Sequence, residues 1–96
     1  MDAEELRRAL RIASRVFERG DRNHLAGADN HWLKVPVRDH VARALVHLDK
    51  FLVGAAGEAD DLAHALTRLL LAVELRARER EALRLLAANT EQRRAR

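Results

Sequence analysis

Two apolar stripes at helical spacing meet across a pair of glycines, and that junction limits what this chain can become. Upstream, Val37, Val41, Ala44, Leu45, Leu48, Phe51 and Leu52 recur every three or four residues and end near Val53. Such spacing places them on one face of a helix. Gly54 and Gly57 interrupt the pattern, and glycine accepts turn conformations that other side chains resist. Downstream, Leu62, Ala65, Leu66, Leu69, Leu70 and Val73 form a second stripe behind an acidic start at Glu58, Asp60 and Asp61. An earlier helix is expected over residues 3–19, with Leu6, Ala9, Leu10, Ala13, Val16 and Phe17 on one face. Asp2, Glu4 and Glu5 lie where its dipole favours negative charge, and Gly20 is its expected stop. The pattern predicts an all-α fold, a small bundle of three main helices.

Composition narrows the chemistry. A chain of 96 residues holds one small domain. Phe17, Trp32 and Phe51 are its only aromatics, so Leu, Val and Ala must build the core. Without cysteine there is no disulfide framework, thiolate nucleophile or thiolate metal site. The formal charge of +3 is spread through the chain until Arg93, Arg94 and Arg96. Residues 1–88 are read as one helical domain and 89–96 as a basic, frayed tail. That tail lacks an aromatic platform, which argues against nucleic acid as a partner. The longest apolar run, Leu69 to Val73, falls far short of the ~20 residues a bilayer requires, so no membrane partner is expected. A soluble, cytoplasmic protein is expected.

Residues 20–35 show no sustained period, and Asp, Asn, Gly and His dominate them, as in an ordered loop anchored by Trp32 and Leu33. Pro36 suits the first turn of the second helix. The third helix is expected to begin around Gly57-Glu58. Leu71 and Leu75 fall on the side opposite its main stripe, with Asp61 and His64. A helix apolar on two sides wants burial on two sides, so self-association, at least as a homodimer, is expected through Leu71 and Leu75. Continued to residue 88, this helix would be roughly 45 Å long. It would then overhang the bundle or break near Ala77–Glu81.

The chemistry-bearing residues gather near the junction. Asp60 and Asp61 lie four and three residues before His64, spacings that share a helix face. With Glu58 they suit a helix start, or a hard-cation site for magnesium or manganese. His40 and His47, seven apart, fall together on the shoulder of the second helix's stripe. With His64 they could form a transition-metal site, although the spacing does not enforce one. If the second and third helices run antiparallel, His47 and His64 reach similar heights. There is no glycine-rich phosphate loop, and Ser14 is the only serine.

Gly20-Asp21-Arg22-Asn23, Val46-His47-Leu48 and Asp60-Asp61-Leu62-Ala63-His64-Ala65 together carry a resemblance. Over about residues 16–75 the chain resembles small phage and prophage proteins of the dATP/dGTP diphosphohydrolase-like type. These are related to the all-α, MazG-like NTP pyrophosphatases. Val46, Asp61 and Arg68 stand where that pattern has arginine, histidine and asparagine, and the ExxE…ExxD metal motif is absent. The resemblance implies a magnesium-dependent protein acting on purine deoxynucleoside triphosphates. Glu58, Asp60 and Asp61 would hold the metal. His47 and His64 would contact phosphate or transfer a proton, and Arg22, Asn23 and Trp32 would cover the base. The alternative is a non-catalytic assembly or adaptor module using the third helix and its C-terminal extension.

Overall fold

Asp2 starts the first helix by accepting the Glu5 N–H on its side chain at 2.8 Å, which satisfies one of the donors a helix start leaves unpaired. The structure is a computed structural model that describes residues 1–23, 31–54 and 60–95, and the side chains of these except 20–23. It contains helix α1 (Ala3–Asn23), a 3-10 turn (His31–Lys34), α2 (Val37–Val53) and α3 (Asp61–Arg94), with no strand among the described residues. The fold is the expected all-α arrangement of three helices. No helix among the described residues is long and apolar enough to cross a membrane.

Several boundaries differ from expectation. α1 passes through Gly20 to Asn23, because a glycine inside a helix costs only about 1 kcal/mol and continued backbone bonding offsets it. The irregular stretch expected over 20–35 is therefore helical at 20–23 and a 3-10 turn at 31–34, while 24–30 lie outside the described residues. Gly54 ends α2 at φ 72°, its N–H turned back to the Lys50 and Phe51 carbonyls. A Cβ there would meet no atom within 4 Å, so backbone conformation and not crowding favours glycine. α3 begins at Asp61, later than expected, because Asp60 caps it by accepting the Ala63 N–H at 3.3 Å.

α3 is the axis on which the others pack. α2 lies along it and α1 crosses a shorter stretch of it, while the two scarcely meet each other. Pairing of His47 with Asp61 and of His40 with Arg68 makes α2 and α3 antiparallel. The core is small: Ala13 and Val16 of α1, His40 and Ala44 of α2, and Ala63, Ala65, Thr67, Leu71 and Ala72 of α3. Small side chains bring the backbones close. The Thr67 hydroxyl is shared between the Ala63 carbonyl at 2.8 Å and the Ala13 carbonyl across the interface at 3.1 Å.

This packing turns most of the expected inner stripe of α3 outward, although Ala65 of that stripe stays buried and Leu66 half-buried. Leu71 is buried at 8% exposure, whereas Leu62, Leu69, Leu70 and Val73 of the supposed inner stripe are exposed, Val73 at 66%. The larger residues face outward because the alanine and threonine side allows closer approach and carries the polar partners of α2. The α2 stripe is likewise only partly used, with Leu45, Phe51 and Leu52 exposed.

Beyond Ala77, α3 runs on without a break. Its 34 residues span roughly 51 Å at 1.5 Å each. Residues 89–94, expected to fray, are helical. Arg78–Glu74, Arg76–Glu79 and Arg84–Glu81 pair at three- or four-residue spacing, each adding roughly 0.2–0.5 kcal/mol to a helix already rich in good helix formers. The overhang gives a radius of gyration of 17.3 Å, against roughly 12–13 Å for a compact chain of this length.

Candidate functional site

The antiparallel packing of α2 on α3 brings three expected site residues together. The His47 Nδ1–H donates to Asp61 Oδ1 at 2.9 Å, with both side chains mostly shielded from solvent. That bond places a proton on His47 Nδ1 and orients the ring. The His64 ring stacks on His47, centroids 4.9 Å apart and planes 22° from parallel. Burial first, and then the neighbouring His47, lower the His64 pKa below its ordinary 6.5. Asp61 and Asp60 act in the opposite sense, and Arg19 adds to the lowering. His64 is therefore neutral at pH 7 and able to accept a proton.

His64 opens onto a cleft of about 520 Å³ between α1 and the start of α3. Ile12, Arg15, Val16 and Arg19 form one wall, and Asp60, Ala63 and His64 form the other. The volume falls within the roughly 300–1,000 Å³ typical of small-molecule pockets.

Other expected site residues are placed differently. Trp32 does not line this cleft. Its ring meets Phe17 edge-on with centroids 6.3 Å apart, and the Arg78 guanidinium lies 5.3 Å from its centroid. The backbones of Arg22 and Asn23 form the last turn of α1 and not a loop, and their side chains lie outside the described set. Glu58 also lies outside the described residues. Asp60 and Asp61 each commit an oxygen, one to the Ala63 N–H and one to His47. Among the described residues no three of His, Asp and Glu gather as a metal ion would need. The described donors therefore do not by themselves form a magnesium site.

His40 is not on a shoulder at all but fully buried. Its Nε2–H donates to the Trp32 carbonyl at 3.0 Å, and its Nδ1 accepts from Arg68 at 3.1 Å. Both nitrogens are committed, so it cannot join His47 and His64 on a metal. Burial, reinforced by the Arg68 and Arg43 charges, lowers its pKa against the opposing Trp32 carbonyl and Asp39.

Arg15 and Arg19 are the cleft residues that sequence reasoning passed over. Their spacing of four on the flank beside Val16 was a signal, since like charges so placed repel across one helical turn. No protein-family model, curated protein or solved structure matches the chain.

Proposed function

We propose that the protein handles nucleotides, with the ligand seated in the cleft that His64 borders. The observation that carries this reading is the contact chain Asp61–His47–His64 from two helices, whose last member lines that cleft. A carboxylate holding one imidazole nitrogen orients the ring for proton transfer, and a neutral histidine beside it can accept a proton near neutral pH. The resemblance nominates purine deoxynucleoside triphosphates as the ligand and the α–β phosphoanhydride as the bond. In that reaction water adds to the α-phosphorus, its proton passes to an imidazole, and pyrophosphate leaves. Magnesium enters this reading with the triphosphate, so the assay is run with and without it. Arg22 and Asn23, in the turn after Arg19, remain the candidates for the base.

Titration calorimetry and pyrophosphate release across the eight common triphosphates test the reading. Binding, with turnover for a purine deoxynucleotide, is the expected result, and both should vanish in His64→Ala at unchanged thermal stability. Neither heat nor turnover with magnesium or manganese present would remove it.

A second reading, self-assembly, is favoured by the outward face of α3. Leu69 and Val73 of α3 line a groove with Val37 and Val41 of α2, and Leu45 and Leu62 are exposed as well, over a core made largely of alanine. We place self-association on this α2–α3 face and not on the side of Leu71 and Leu75. Light scattering showing only monomer at tens of micromolar would sink it.

A further inference from the structure

Arg15 and Arg19 stand one turn apart on α1, both exposed, both on the cleft wall that faces His64. Among the described residues neither has a carboxylate partner, in contrast to Arg7 and Arg11 on the same helix, which pair with Glu4 at 3.8 and 3.5 Å. Of the described acidic groups, Asp60 lines the opposite wall with one oxygen on the Ala63 N–H, and Asp61 is bonded to His47. Two arginines thus share a cleft with a neutral histidine, and among the described residues no direct carboxylate bond offsets them. Like charges one turn apart repel, and a shared anion relieves that repulsion. Guanidinium groups also match phosphate oxygens in a paired, planar geometry.

We propose that Arg15 and Arg19 form a clamp for the phosphates of the ligand, with His64 opposite as the third contact. The inference rests on the nucleotide reading and deepens it: the polyphosphate lies between α1 and the start of α3, and recognition begins with charge. The capped N-terminus of α3 is not the attractor, because Asp60 already takes the Ala63 N–H there. The attractor is the arginine pair. Groups facing His64 are Arg15 and Arg19 from α1, His47 from α2, and Asp60 and Asp61 from α3 itself.

The test uses the full chain and titrates tripolyphosphate, dATP and adenosine in low salt by calorimetry. Tripolyphosphate and dATP should bind and adenosine should not. The double variant Arg15→Gln/Arg19→Gln should weaken both at least about tenfold, the loss expected from one or more charge-assisted hydrogen bonds. Both side chains are exposed, so thermal unfolding should be nearly unchanged. A control, Arg8→Gln/Arg11→Gln, removes the same charge elsewhere on α1 and should bind within about twofold of the parent.

Equal weakening in both double variants would overturn the clamp, because net charge would then explain the effect. Parent-like binding of tripolyphosphate by Arg15→Gln/Arg19→Gln would also overturn it, while continued binding of dATP would leave the nucleotide reading standing. Tripolyphosphate binding that depends on Arg15 and Arg19 without any dATP binding would keep the clamp and remove the nucleotide. Binding of single-stranded oligonucleotides without tripolyphosphate binding would overturn it in favour of a nucleic-acid surface.

Discussion

His40 and His47 sit seven residues apart on one stripe of α2, and the fold gives them opposite roles. His40 is sealed, with a carbonyl on one nitrogen and a guanidinium on the other. His47 is held at one nitrogen only, by Asp61, and stacks on a second imidazole at the edge of an open cleft. The residue type is the same and so is the helix face. The difference comes from α3, which presents Arg68 to one and Asp61 with His64 to the other. A histidine becomes scaffold when both of its nitrogens are spent inside, and it stays available for chemistry when one is left over.

The strongest way to break that contrast is His40→Ala. It would strand the Arg68 guanidinium and the Trp32 carbonyl beside a cavity, and should cost roughly 2–4 kcal/mol in chemical denaturation. His40→Gln can still donate one bond and accept another, and should retain about half of that stability. A loss below about 1 kcal/mol for His40→Ala would mean that His40 is not scaffold.

A smaller effect is expected with acid. The His40 and His64 pKa values are both lowered in the folded chain, so the unfolded chain binds more protons below pH 6.5. Their contribution to stability is complete above 6.5 and is lost as the pH falls from there through the lowered folded values. Melting temperatures measured from pH 8 to pH 5 should therefore fall on the acid side, and the fall should be shallower in His40→Gln. An equally steep fall in that variant would assign the acid sensitivity to other groups.

The smallest change is expected for Asp61→Ala. It removes the His47 bond and one carboxylate from the first turn of α3, at a cost of about 1 kcal/mol. Imidazole nitrogen NMR should show the His47 Nδ1 signal shift as its bond to Asp61 is lost. A cost matching that of His40→Ala would make the Asp61–His47–His64 cluster structural and erase the distinction.

The site was legible only in part. The levelling of His47 with His64 follows from counting residues on either side of Gly54–Gly57 in an antiparallel pair, and Asp61 follows from its three-residue spacing to His64. The role of His40 was hidden, because a helical wheel shows that a residue lies on a stripe's shoulder but not what the neighbouring helix brings against it. Arg15 and Arg19 were missed for the same reason: on α1 alone they are an ordinary exposed flank. Trp32 could be recognised as an anchor, but its edge-on contact with Phe17 and its cover by Arg78 depend on three segments meeting.

Period and punctuation, both local properties, determined by themselves that the chain is helical and that α2 ends near Gly54, but left open whether the third helix overhangs or breaks near Ala77–Glu81; in the structure it runs unbroken. Which side of α3 turns inward was not local. Both sides carry apolar residues, and the outward one carries the larger, so a hydrophobic tally favours Leu62, Leu69 and Val73 for the core. The tertiary structure chose Ala63, Thr67 and Leu71, because small side chains let α1 approach until Thr67 bonds the Ala13 carbonyl. The same rotation gives Asp61 and Arg68 histidine partners on α2. Close packing and the pairing of buried polar groups are properties of two surfaces together, and no single helix contains them.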